Sequence, residues 1–316
     1  MRHLFVIIFA FCSLATNAQN QVVRRHGATS TTKRQGSSIQ KKKSTSPATK
    51  KKALEVYNNS KSSSSSSMSN QTTSPTHQIN ASYSYGVLTV NGVRYEMVKV
   101  NAGTFVMGAT SDQEGNARDN EKPAHQVTLT NNYYIGRTEV TQALWKAIMG
   151  SNPSYFRGDN KPVECVSWND CQTFISRLNA ATGRHFRLPT EAEWEFAARG
   201  GNNSQHYQYS GSNNLYEVAW YTGNSGDTTH DVATKQTNEL GLYDMSGNVC
   251  EWCYDWYGEN RSSPQTNPTG PMNGTSRVNR GGYWCSFAWN CCPSYRNDYN
   301  PALCYNDLGF RLALSE

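Results

Sequence analysis

Apolar side chains fall into three regimes along this chain. Leu4 to Ala10 form an apolar run behind Arg2 and His3, residues 19–84 hold almost no large apolar side chains, and from Tyr95 onward apolar positions recur at regular spacing. In the third regime, Tyr95 to Gly108 alternates apolar and polar residues on both sides of Asn101 to Gly103, which predicts a β-hairpin. A helix is predicted from about Val140 to Met149, stopped by Gly150. A second starts at Ser167, with Asp170 as its capping-box partner, and runs to Gly183 with Cys171, Phe174, Ile175 and Leu178 on one face. A third follows Pro189, where Thr190 and Glu193 form a capping box, and stops at Gly200-Gly201.

The first regime changes the picture of location. The apolar run closes on Thr16-Asn17-Ala18, the small-residue pattern of a signal-peptidase site, so cleavage after Ala18 and export to the periplasm, cell surface or medium are expected. Cys12 lacks the lead of a lipoprotein box. No later stretch has the roughly 18 apolar residues of a membrane span.

Residues 19–84 read as a disordered basic tether, because they cannot bury enough apolar surface to offset chain entropy. They carry eleven Lys and Arg against Glu55, so the tether holds +10 of the net +6, and without it and Arg2 the rest is near −5 (6 − 10 − 1). The basic balance therefore belongs to the tether, which could contact anionic lipid, wall polymer or an acidic protein. It argues against a nucleic-acid-binding folded part.

Residues 85–316 read as one domain. All eight Trp lie there, amid many Tyr, Gly and Asn, and few long apolar runs. That composition predicts an irregular α+β fold with much ordered loop and little regular secondary structure.

Five blocks of this domain, in order, carry a specific resemblance. They are Gly103 to Gly108; Pro162-Val163 with Val166 to Trp168; Arg187 to Gly201; Gly241 to Val249 with Glu251-Trp252; and Arg280 to Gly282 closing at Gly309 to Arg311. Together they resemble the formylglycine-generating enzyme, or sulfatase-modifying factor, family. The resemblance implies that family's mixed fold, related to C-type lectin folds. It also implies oxidation of a cysteine in a Cys-x-Pro-x-Arg segment to formylglycine, at a Cu(I) held by two thiolates.

The segment that would hold copper departs from the family pattern. Counted from Gly281-Gly282, Cys291 takes the second cysteine position, but Ser286 takes the first and Cys285 lies one residue early. Tyr283 replaces the family serine, and Cys250 the family tryptophan. If the backbone is extended, a one-residue offset turns Cys285 to the opposite face; a bulge would return it. Cys285 and Cys291 remain the catalytic and copper-binding candidates.

The resemblance also implies a calcium site, with Asp244 and Glu251 as side-chain ligands and Gly247 and Val249 as carbonyl ligands. The other reading is that Asp244 accepts turn N–H groups and Glu251 pairs with an arginine. Beyond Cys12, eight cysteines remain, an even number that in an exported chain predicts disulfides of undetermined connectivity. Cys250-Glu-Trp-Cys253 has redox or zinc spacing, yet sits in a family block. Histidines lack paired ligand spacing and no Gly-x-Ser-x-Gly is present. The expected role is an exported binding or surface-assembly module for a protein or surface glycan. The alternatives are the copper oxidase and a lectin-like glycan binder using exposed Trp and Tyr.

Overall fold

The computed structural model describes residues 78–111, 113 and 117–316. The predicted signal peptide and most of the tether lie outside them. The described chain begins earlier than composition suggested: β1 (Ala81–Ser84), placed at the end of the tether by its polarity, pairs with β2 (Val87–Val90).

Three small sheets and a few helices make up an α+β fold. The largest sheet has six strands in the order β1, β2, β3 (Val93–Val100), β6 (Tyr133–Gly136), β13 (Ala313–Ser315), β7 (Phe186–Arg187). A second, β4 (Gly103–Met107) with β5 (His125–Leu129) and β9 (Gln265–Thr266), has three. The third runs β11 (Arg296–Tyr299), β10 (Arg277–Arg280), β8 (Cys250–Trp256), β12 (Leu308–Gly309).

The predicted hairpin is corrected here. Its two arms are strands β3 and β4, but they join different sheets, β3 between β2 and β6 and β4 beside β5. The corner between them is held from outside: Ala102 N donates to the Asn132 side chain at 2.9 Å, and Asn202 Nδ2 donates to Ala102 O at 2.9 Å. A β-carbon on Gly103 would meet Asn202 Oδ1 at 2.2 Å, so the glycine lets that amide close in.

The helices agree with their capping signals. Helix α1 (Gln142–Met149) has Thr141 as N-cap and Gly150 in the left-handed conformation at its end. Helix α2 (Trp168–Thr182) has the Ser167/Asp170 capping box, and the same four predicted side chains are buried. Helix α3 (Glu191–Ala198) has the Thr190/Glu193 box, with Glu193 also clamped by Arg187 at 2.6 and 2.7 Å. Burial along α3 is nearly continuous, because both faces are covered. One core packs α1 and α2 on the six-stranded sheet, with Trp145 stacked on Phe174 at 5.2 Å and Phe310 edge-on to both. A second core surrounds Trp194 and Phe196 of α3.

Buried ion pairs tie these parts together. Glu195 of α3 pairs with Arg280 and with Arg199. One turn earlier on the same face, Glu191 holds Arg296 at 2.6 Å. Arg280 also donates to the carbonyls of Pro293 and Tyr295. No helix among the described residues is long and apolar enough to cross a membrane.

Candidate functional site

Two fully buried arginines bracket the stretch that carries Cys285 and Cys291. Arg280 enters it and Arg311 leaves it, each 0% exposed, while the calcium candidates Asp244 to Glu251 precede it. Past Arg280 the chain turns at Gly281 and Gly282, with φ of 98° and 72°. A β-carbon on Gly282 would lie 2.7 Å from Asn290 O and 2.9 Å from Cys291 Sγ, so only glycine permits this approach.

The next four residues form a turn rather than an extended segment. Ser286 N donates to Tyr283 O at 2.8 Å, and Tyr283 N donates to Ser286 Oγ at 3.0 Å. Ser286 is 2% exposed, whereas Cys285 at the corner is half-buried. The expectation from an extended backbone is thus replaced: Ser286 points inward and its hydroxyl closes its own turn.

Cys285 and Cys291 have different neighbours. Cys291 is wholly buried with Cys292, Tyr209, Leu215 and Val218, and burial together with Cys292 pushes its thiol well up. Cys285 lies by Cys250 and Tyr283; burial is the main cause that raises the pKa of both, and Cys285 is among the smaller ones. Cys250 is itself buried, donates its thiol to Asp307 O at 3.2 Å, and is held protonated chiefly by burial. Since Cu(I) binds thiolates, burial opposes metal capture at Cys291. Among the described residues, Cys165, Cys171, Cys250, Cys253, Cys291 and Cys304 stand as thiols.

The calcium set is only partly assembled. Glu251 accepts from Arg311 through both oxygens at 2.6 Å and from Trp194 Nε1 at 2.8 Å. That is the arginine-paired alternative, and it leaves the Glu251 carboxylate committed. Asp244 is buried; Oδ2 accepts from Ala233 N at 2.9 Å, and Oδ1 has no hydrogen-bond partner. Burial, then Glu251, raises its pKa to about 6. Gly247 N donates to Gly281 O at 2.7 Å, and Val249 N to Glu139 Oε1 at 3.1 Å. Asp244 Oδ1 is thus the one carboxylate oxygen of the set open to a hard cation. Among the described residues, no group of three or more His, Cys, Asp or Glu is arranged to hold a metal.

Sequence reasoning missed two features. Glu139, fully buried, accepts from Asn248 Nδ2 at 2.8 Å and from Val249 N, and burial, Asp244 and Glu251 push its carboxyl well up. It fixes the Gly-Asn turn, and its place beside Gly241 to Val249 leaves no trace in local pattern. The second is an aromatic surface beside Cys285. Tyr155 packs edge-on to Phe156 at 4.9 Å, Phe156 to Trp284 at 5.3 Å, and Trp284 Nε1 donates to Asn306 O at 3.1 Å. Tyr155 is 56% and Tyr305 40% exposed. Phe287 and Trp289 stack at 4.6 Å a few residues on. The cavity of about 730 Å³ near Arg187 and Tyr254 is lined by none of the candidate residues.

The architecture is that of an irregular α+β domain that presents a loop-built face between two arginine anchors. Residues 86–316 match the sulfatase-modifying factor enzyme 1-like domain, and the chain belongs to that family. It is 34% identical to the chaperone protein LppX of Paenibacillus barcinonensis, over 70% of this chain and 90% of that one. It is 38% identical to the formylglycine-generating enzyme of Thermomonospora curvata, over 52% of this chain and 56% of the relative. Among solved structures, Treponema denticola variable protein 1 superposes with a TM-score of 0.66 at 34% identity, covering 73% of this chain and 98% of that one.

Proposed function

We propose that this domain is an exported binding or surface-assembly module that has left the family's oxidation chemistry. The observation that carries the reading is Ser286. At the position where the family presents its first copper-binding cysteine, this chain has a buried hydroxyl already engaged by Tyr283 N–H. A neutral hydroxyl is a poor ligand for a soft Cu(I) ion. Cys291, at the second position, is enclosed and held protonated.

The same loops offer a surface for recognition. Tyr155, Trp284 and Tyr305 present flat, partly apolar rings at low entropic cost, the residue types that anchor protein interfaces. The partner is an exported protein, and the basic tether would raise its encounter rate with an anionic surface. The stacked Phe287 and Trp289 support a second reading, in which a sugar ring packs on this platform. Likeness to a protein named a chaperone and to one named a variable protein supports a role outside catalysis.

The test is a Cys-x-Pro-x-Arg peptide incubated with Cu(I)-treated protein and oxygen, read by mass. The expected result is an unchanged peptide; copper-dependent formylglycine would overturn the reading. A parallel titration of Cu(I) is expected to leave Cys291 unreactive without protecting Cys285.

A further inference from the structure

Cys165 and Cys304 lie outside the cores. Cys171, Cys250, Cys253, Cys291 and Cys292 are buried, whereas Cys165, like Cys285, is half-buried and Cys304 is exposed. The two are 139 residues apart in sequence (304 − 165), but their backbones run side by side. Cys165 N donates to Tyr305 O at 2.9 Å, and four residues along Asn169 N donates to Pro301 O at 3.3 Å. The first bond places Cys165 against the residue next to Cys304, and a disulfide is a bond between such close backbones, with Cα atoms about 4.4–6.8 Å apart.

The electrostatics agree with this proximity. Burial is the main cause that raises both thiols; for Cys165 the Glu164 carboxylate and then Cys304 add to it, and for Cys304 Asp170 and then Glu164. Cys165 also has φ of 58°, a left-handed conformation in which a β-carbon is disfavoured and glycine or asparagine is the ordinary choice.

We propose that Cys165 and Cys304 are a disulfide site, closed by thiol–disulfide exchange with a disulfide donor of the exported environment. Cys304, the more exposed, attacks the donor as its thiolate; one donor sulfur leaves as a thiolate and a mixed disulfide forms. Cys165 then attacks the Cys304 sulfur and expels the second donor thiolate. The protein loses two protons and two electrons, and the donor becomes two thiols. Burial and the Glu164 carboxylate disfavour the Cys165 thiolate. The bond would pin residues 300–307, which carry Tyr305 and Asp307, against the segment that begins at Pro162. It rests on the export proposed above, but on neither the identity of the partner nor the loss of catalysis.

The full-length chain, reduced and then incubated with oxidised glutathione, is alkylated and digested without reductant. The expected result is one peptide pair joining Cys165 to Cys304, released by reductant, with both alkylation sites lost. In Cys304→Ser that pair disappears, and Cys165 is recovered alkylated or as the glutathione adduct. Wild-type peptides that carry separate alkyl groups on Cys165 and Cys304 after oxidation, or either residue joined to a different cysteine, would overturn the proposal. Comparing oxidised with reduced wild type needs no variant to fold, and slower proteolysis within 300–307 on oxidation is the second expected readout; an unchanged rate counts against the clasp.

Discussion

Arg311 grips Glu251 through two parallel hydrogen bonds of 2.6 Å, and neither residue has any solvent exposure. Trp194 completes the arrangement from α3, so one carboxylate joins β8, α3 and the segment before β13. Replacing Glu251 by Gln would leave a guanidinium buried without its counter-charge. The expected loss is about 3–5 kcal/mol, measured by urea unfolding. Arg311→Met together with Glu251→Leu should recover a substantial part of it, because both charges leave together.

Gly247 sits with φ of 81° directly over Trp220; a β-carbon there would lie 2.3 Å from Trp220 O. Gly247→Ala therefore meets both a backbone clash and a left-handed conformation. Stability should fall by about 2 kcal/mol or more, since conformational strain alone contributes about 1–2 kcal/mol. A thermal melt equal to wild type would show that the Trp220 to Asn248 region yields easily.

Asp255 predicts how stability depends on pH. It is buried, and burial followed by the Glu191 charge raises its pKa to about 8, against about 3.9 in an unfolded chain. Its contribution is therefore fully present below about pH 4 and is lost as pH rises through about 8. Between pH 5 and 9 the unfolding midpoint should fall, and Asp255→Asn should flatten that fall. Parallel wild-type and variant profiles would contradict this.

Ser286→Ala removes the acceptor for Tyr283 N–H without changing the space the side chain fills by much. The expected cost is about 1–2 kcal/mol, from a buried donor left unsatisfied. Chemical denaturation measures it, and a neutral result would mean that the turn is held by Ser286 N to Tyr283 O alone.

Local chemistry made the helices legible. Ser167 with Asp170 and Thr190 with Glu193 are capping boxes whose partners lie three residues away, so a linear reading finds them. Alternation also revealed β3 and β4 as strands. Their pairing was not legible, because Asn132 and Asn202, which hold the corner at Ala102, are 30 and 100 residues distant. At the candidate site, the displacement of Cys285 from the family position was visible in the spacing. The inward turn of Ser286 was not, since it depends on Gly281 and Gly282 adopting positive φ. The Arg311 partner of Glu251 could be named only as some arginine, because the contact spans 60 residues.

The order of strands in the largest sheet sets a sequence of events for the chain as it is made. β6 is complete at residue 136 and β7 at residue 187, but the strand that lies between them, β13, spans residues 313–315. Until it is synthesised, two strand edges wait with unsatisfied hydrogen-bonding groups. The Arg311 that locks β8 to the second core is equally late. Folding therefore cannot proceed in step with synthesis from one end to the other; it closes late around its most distant contacts, a topology that folds slowly.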